Sequence, residues 1–257
     1  MSNVLAIAQK ELRAYFNSPI AYIVLGFFAV LFGWFYIGIL DWFVRQGMQM
    51  GELGMGGAQN LNVNQQMVRP LLLNMTVVFL FLLPLVTMRT YAEEKRSGTI
   101  ELLLTSPLTD LQIVLGKFLG AMALYGAMLL VTVVHFGLLF VFGNPDWKPL
   151  AVAYLGLLLF GGCFISIGLF ISSLTKNQIV AGAATFGVFL LLWVIDWIGQ
   201  SLGPTGESIL KYMSMTEHLD DFVKGVIDTK HLVYYLSFIA FGLFLTVRSV
   251  DSERWRG

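Results

Sequence analysis

The sequence predicts an all-α polytopic membrane protein: six transmembrane helices, an N-terminal amphipathic interface helix and a short helix on the cytoplasmic surface. Three observations predict it. Only 12% of the 257 residues are charged, while 57% are hydrophobic. Mean hydropathy is +0.75. A soluble domain carries about 25% charged residues, and half of that cannot cover a water-facing surface, so lipid must be the solvent for much of the chain. The third observation is a pattern: the apolar residues gather in six stretches, each near the roughly 20 residues that cross a hydrocarbon core of about 30 Å.

The first element is residues 3–17. Val4, Leu5, Ala8, Leu12, Tyr15 and Phe16 recur at three-to-four spacing, with Lys10, Arg13 and Asn17 elsewhere. Such a helix lies in the interface plane with its apolar face in the acyl boundary, either as a surface anchor or as a partner contact. Ser18-Pro19 then supplies an N-cap and a first-turn proline for a new helix. Spans are expected at about 19–40, 71–88, 118–142, 150–174, 179–198 and 232–250, with 41–70 as a long loop rich in Gly, Met, Asn and Gln. Pro84 is expected to kink the second span. Only Thr175-Lys176-Asn177-Gln178 separates the fourth and fifth spans, and Lys176 argues against one continuous helix. Residues 199–231, with Gly203-Pro204 followed by Ile209–Met213 and Leu219–Ile227, read as short re-entrant or interfacial helices on the outer side.

Orientation follows the basic residues. With the N-terminus inside, Lys10, Arg13, Arg89, Lys95, Arg96, Lys117, Lys176, Arg248, Arg254 and Arg256 are cytoplasmic. Arg45, Arg69, Lys148, Lys211, Lys224 and Lys230 then fall outside. Asp-Trp pairs at 41–42, 146–147 and 196–197 mark three outer boundaries, where an apolar ring with one N–H suits the interface. Both termini are expected in the cytoplasm and the chain in a bacterial cytoplasmic membrane.

Residues 89–117 carry the most information. The charged run Arg89 to Arg96 continues the second helix out of the bilayer, and Gly98 is a natural stop. Thr99 is expected to cap a short helix with Glu101 in its first turn, then Leu102, Leu103 and Leu104, which Pro107 ends. Thr109 and Gln112 form a capping box for the approach to the third span. The short helix is too apolar for water and too charged for lipid, so it suits either a protein groove or the headgroup layer.

The string Glu93-Glu94-Lys95-Arg96-Ser97-Gly98-Thr99-Ile100-Glu101-Leu102-Leu103-Leu104-Thr105-Ser106-Pro107 resembles the signature of ABC-2-type transporter permeases. Weaker likeness extends to Gln9–Pro19, with Lys10, Glu11, Arg13, Tyr15 and Phe16, to Leu111–Gly120, and to His218–Asp228. Within that family the likeness is nearest the gliding-motility and nitrous-oxide-reductase-maturation types. The resemblance implies that Glu93, Glu94, Lys95, Arg96, Gly98, Thr99, Glu101, Leu102 and Leu103 couple to an ABC ATPase subunit. It also implies that Phe222 and Val223 close the outer end of a translocation path, and that a second permease copy or homologue completes it. The expected function is the permease subunit of an exporter; the alternative is a membrane scaffold that passes ATPase-driven motion to an outer partner.

Catalysis is not expected of this chain. No G-x-x-x-x-G-K-[ST], H-E-x-x-H or G-x-S-x-G occurs in the sequence, and the resemblance then implies that ATP and Mg are held by a partner subunit. Sixteen basic and sixteen acidic residues cancel, which offers no reason for a nucleic-acid partner. Cys163 is the single cysteine, excluding a disulfide framework or a Cys-based zinc site, and no removable signal peptide is expected. His135, His218 and His231 are scattered. His135 is the one ionisable side chain deep in a span, either satisfied within the bundle or lining a path. Met48, Met50, Met55 and Met67 share the 41–70 loop and thioethers suit Cu(I), but no metal is expected. Small residues, including Gly116 and Gly120, mark packing seams.

Overall fold

A computed structural model describes residues 2–53, 62–199 and 203–254. Every regular element among them is helical: α1 (Ser2–Asn17), α2 (Pro19–Glu52), a π-helical turn (Asn64–Val68), α3 (Arg69–Thr87), α4 (Ala92–Ser97), α5 (Thr99–Leu104) and α6 (Asp110–Phe142). They are followed by α7 (Trp147–Ser173), α8 (Gln178–Gly199), α9 (Gly203–Met213), α10 (Met215–Val223) and α11 (Thr229–Arg254). Six of these helical segments are long and apolar enough to cross a membrane. They run alternately between one end, here the base, which holds α1, α4 and α5, and the opposite end, the crown, which holds α9, α10 and the π turn. Helix α7 is the hub, packing on α3, α6, α8, α10 and α11.

Local signals set several helix ends where expected. The Ser18 side chain accepts from Ile20 N, and Pro19 opens α2. Thr109 and Gln112 make both bonds of a capping box, each at 3.3 Å. That box starts α6 at Asp110, eight residues before the expected span, so the third long helix reaches well past the hydrocarbon. Asn177 caps α8 by accepting from Ile179 N at 3.0 Å, which separates α7 from α8 as Lys176 suggests. Pro84 lies inside α3, and the helix runs past it to Thr87.

The expected 41–70 loop is corrected. Helix α2 continues to Glu52, 34 residues in all, about 51 Å at 1.5 Å per residue. Asp41 and Trp42 therefore sit within a helix, and Asp41 pairs with Arg45 one turn on at 2.9 Å. No proline interrupts 41–52, and composition averaged over the whole stretch hides its helical periodicity. Asp146 does mark an end, accepting from Lys148 N as the cap of α7; the Asp196 and Trp197 side chains lie outside the described residues. Met67 is fully buried and Met48 is exposed, while Met55 also lies outside the described residues.

Polar bonds join the helices within the bundle, where lipid offers no competing partner. Tyr125 donates to the Leu157 carbonyl at 2.7 Å, Trp193 to Thr76 at 3.2 Å, and Ser173 to Ser249 at 2.8 Å. His135 is half-buried between α2 and α6, edge-on to Phe32 and Tyr36, with Nδ1 3.4 Å from the Val131 carbonyl.

Candidate functional site

The base is built around one lysine. Gly116 and Gly120 give α6 a bare stripe, and α1 lies directly on it: a Cβ at Gly120 would stand 2.7 Å from the Glu11 Cβ. The stripe of α1 that faces α6 is therefore Ile7, Glu11 and Tyr15, all buried, while Leu5 is 63% exposed. The expected acyl-boundary placement of the apolar face is corrected to this extent: the Ile7–Glu11–Tyr15 stripe packs on α6. Between the two glycines stands Lys117, whose side chain is wholly buried. Its ammonium reaches Glu11 Oε1 at 2.9 Å, Glu94 Oε1 at 2.8 Å and the Thr90 carbonyl at 3.0 Å. Three N–H groups thus meet three acceptors, and the Tyr91 ring lies 5.0 Å below.

The α4–α5 hook hangs from this clamp. Ser172 of α7 accepts from Tyr91 N and Ala92 N, holding the first turn of α4. Arg89 grips both oxygens of Glu93 at 2.8 and 3.0 Å. Lys95 is buried and pairs with Glu253 of α11; Arg254 pairs with Asp110 at 2.8 Å. Tyr15 donates to the Val86 carbonyl at 3.1 Å, and burial pushes its phenol well above its ordinary range. Gly98, at φ 74°, turns the chain from α4 into α5, a left-handed conformation that only glycine enters freely.

The predicted coupling residues consequently divide. Glu94 and Lys95 face inward and fasten the hook; Arg96, Gly98, Thr99, Glu101 and Leu102 face outward. Leu102 is 74% exposed while its neighbour Ile100 is buried, and Leu103 is half-buried against the core. Thr99 does not cap α5 as expected: Gly98 holds that position, and the Thr99 hydroxyl instead shares a 2.9 Å bond with Ser97. Of the interface-helix residues, Lys10 and Arg13 are exposed, Glu11 and Tyr15 are buried, and Phe16 packs edge-on against Tyr22. The Glu11–Lys117–Glu94 cluster was not anticipated from sequence. Its signals were present: Glu11 shares a helical stripe with Val4, Ile7 and Tyr15, and Lys117 is bracketed by two glycines.

The crown also departs from the sequence reading. His218 and His231 are not scattered: their Nδ1 atoms are hydrogen-bonded to each other, and both rings are buried. His218 Nε2 meets the Tyr212 carbonyl and His231 Nε2 meets Asp221 Oδ2, each at 2.8 Å. The bond from His231 holds the Asp221 carboxyl below its ordinary range. Beside it, Asp220 takes both Arg69, at 2.7 Å, and Lys224, and the bond to Asp220 pushes the Lys224 ammonium upward. Phe222 and Val223 are buried. Phe222 sits on Gly156 of α7, where a Cβ would come within 2.5 Å, and Val223 forms part of the wall of an open recess of about 970 Å³ lined by Asn64, Arg69 and Asp146 together with Phe43 and Phe142.

Comparison with known proteins agrees with this architecture. Two relatives, from Escherichia coli strain K12 and from Escherichia coli O157:H7, are each named "Probable multidrug ABC transporter permease YbhR". Each is 31% identical over 147 residues, a match covering 55% of this chain and 39% of the relative. The alignment thus takes in well under half of the relatives' length. The family model described as "ABC-2 family transporter protein" matches residues 5–246, from within α1 to within α11. A six-span helical chain matched over nearly its whole length by that model belongs to the ABC-2 transporter family.

Proposed function

We propose that this chain is the permease subunit of an ATP-binding cassette exporter in a bacterial cytoplasmic membrane, driven by a separate ATPase subunit that holds ATP and Mg. The base, with both termini, faces the cytoplasm, and a second permease copy or homologue completes the path. The observation that carries this reading is the two-sided hook. Its inner side is tied by Glu94 and Lys95 to α1, α6 and α11. Its outer side presents Glu101 and Leu102 with no protein over them. A leucine held out at the tip of a charged, anchored turn fits a groove in another subunit, because burial there removes apolar area from water. Displacing the hook would pull three helices together and tilt them against the rest of the bundle. The multidrug label of the relatives favours export of organic molecules.

The double variant Glu101→Lys, Leu102→Glu tests it. Burying one leucine side chain contributes about 1.5–3 kcal/mol, and 1.4 kcal/mol is about tenfold in affinity. The ATPase that copurifies with the tagged permease from its own host is expected to drop at least tenfold, with membrane insertion unchanged. Undiminished copurification would discard the coupling role. Reconstituted vesicles containing both subunits should also move solute on ATP addition; ATP turnover that depends on a protein partner, with no solute moved, would favour the scaffold.

A further inference from the structure

At the crown, the hydrogen-bond inventory of two histidines leads to a charge state. A carbonyl oxygen can only accept, so the Tyr212 carbonyl requires a proton on His218 Nε2. Asp221, held ionised by its neighbours, likewise requires a proton on His231 Nε2. If both rings were neutral, their Nδ1 atoms would face each other as two lone pairs. If both were imidazolium, two N–H groups would collide. The observed Nδ1-to-Nδ1 bond is satisfied only by one proton between them. We propose that His218 and His231 share a single proton, three protons over four ring nitrogens, and that this proton latches α10 to α11 until a second proton opens it.

The surroundings suit that state. The pair carries one positive charge and the half-buried Asp221 one negative, so the cluster is neutral as a unit. At the C-terminal cap of α10, Lys224 stands 3.6 Å from Asp221 and binds Asp220 more closely; Asp220 in turn is held by Arg69 of α3. On α11, Lys230 lies exposed and pairs with Asp228 at 3.1 Å, while Tyr234 stacks on the His218 ring at 3.9 Å and Tyr235 meets it edge-on. From α9, Tyr212 packs edge-on as well as lending its carbonyl, and Lys211 is engaged with Glu217. Helix α7 contributes the neutral Cys163, bonded to the Tyr235 carbonyl.

The sign of the pH effect follows. Burial first, and the neighbouring His231 charge among the further causes, lower the His218 pKa below the ordinary 6.5. The second proton therefore binds more readily once α10 is released than while it is latched. The latch is lost as pH falls through that lowered value, and on the alkaline side it lasts only while the shared proton stays bound. Phe222 lies one turn from His218 on the same helix and rests on Gly156, so opening the latch frees the helix that covers α7. None of this depends on an ATPase partner, so it can fail or hold separately from the transport reading.

The test uses the full chain in nanodiscs with ring-15N histidine, without any partner. At pH 7.5 the two Nδ1 resonances should fall together between the bare and protonated positions, with both Nε2 atoms protonated. On acidification all four nitrogens should become protonated in one step below pH 6.5. Amide exchange over 215–223, corrected for intrinsic rate, should rise at least tenfold across that step. The variant His218→Gln should lack the step; should it fail to fold, the wild-type spectra decide alone. Two neutral rings, or two fully protonated ones, at pH 7.5 would overturn the shared proton. Unchanged exchange through the acid step would overturn the latch.

Discussion

The base and the crown solve the same packing problem with different chemistry. At each, a short helix rests on a glycine floor of a long one: α1 on Gly116 and Gly120, α10 on Gly156. At each, a buried positive charge is matched to carboxylates. The base uses the ammonium of Lys117 between Glu11 and Glu94; the crown uses the imidazoles of His218 and His231 against Asp221. Histidine is the side chain whose ordinary pKa places its charge change between pH 5 and 8, whereas lysine and glutamate titrate well outside that window. The base is built around an ammonium whose side chain is wholly enclosed by protein. The crown is built to respond to protons.

The largest effect is expected where the charge is most deeply buried. Lys117→Met leaves Glu11 and Glu94 with only the exposed Lys10, 3.7 and 3.4 Å away, in place of their buried cation, and breaking a buried pair from one side costs about 3–5 kcal/mol. The thermal unfolding midpoint of the purified chain should fall steeply. Adding Glu11→Gln and Glu94→Gln should restore most of it, because the stranded charges are then gone. If Lys117→Met alone is no worse than the triple variant, the cluster is not an ion clamp and the contrast with the crown disappears.

The two ends were also unequally legible in the sequence. Signals confined to a few neighbouring residues were read correctly: Ser18-Pro19 at the start of α2, the Thr109–Gln112 box, Gly98 between α4 and α5, and the six apolar stretches. Each depends only on backbone groups within a turn of the residue that satisfies them. Lys117 and Glu11 lie 106 positions apart, and only the seating of α1 on two glycines brings them together. His218 and His231 lie 13 apart, yet their meeting depends on the turn at Gly225, with φ 84°, folding α10 back on α11. A count of sequence distance made those histidines look unrelated. The continuation of α2 to Glu52 was missed for another reason: a loop was inferred from the composition of thirty residues together.

A smaller effect separates the two floors. Gly120→Ala would drive a methyl against Glu11 and the Ala8 carbonyl, and Gly156→Ala against the Phe222 Cβ and Cγ. Overpacking of this kind costs about 1–3 kcal/mol. The first should expose α1 to limited proteolysis and leave α10 protected; the second should do the reverse. Loss of protection at both ends from either variant would mean that base and crown are one cooperative unit.

The smallest effect concerns the pair at the rim of the crown. Arg69 sends Nε and a terminal nitrogen to the same Asp220 oxygen, at 3.1 and 2.7 Å, but its side chain is 38% exposed. Water and counter-ions reach such a pair, so Arg69→Gln should cost about 1 kcal/mol or less. Salt provides the sharper reading. The screening length shrinks from about 10 Å at 0.1 M to about 3 Å at 1 M, so the small difference between Arg69→Gln and the parent should vanish as salt rises. The loss from Lys117→Met should persist, because the Lys117 side chain is wholly enclosed by protein. A salt dependence of equal size at both sites would show that water enters the base clamp.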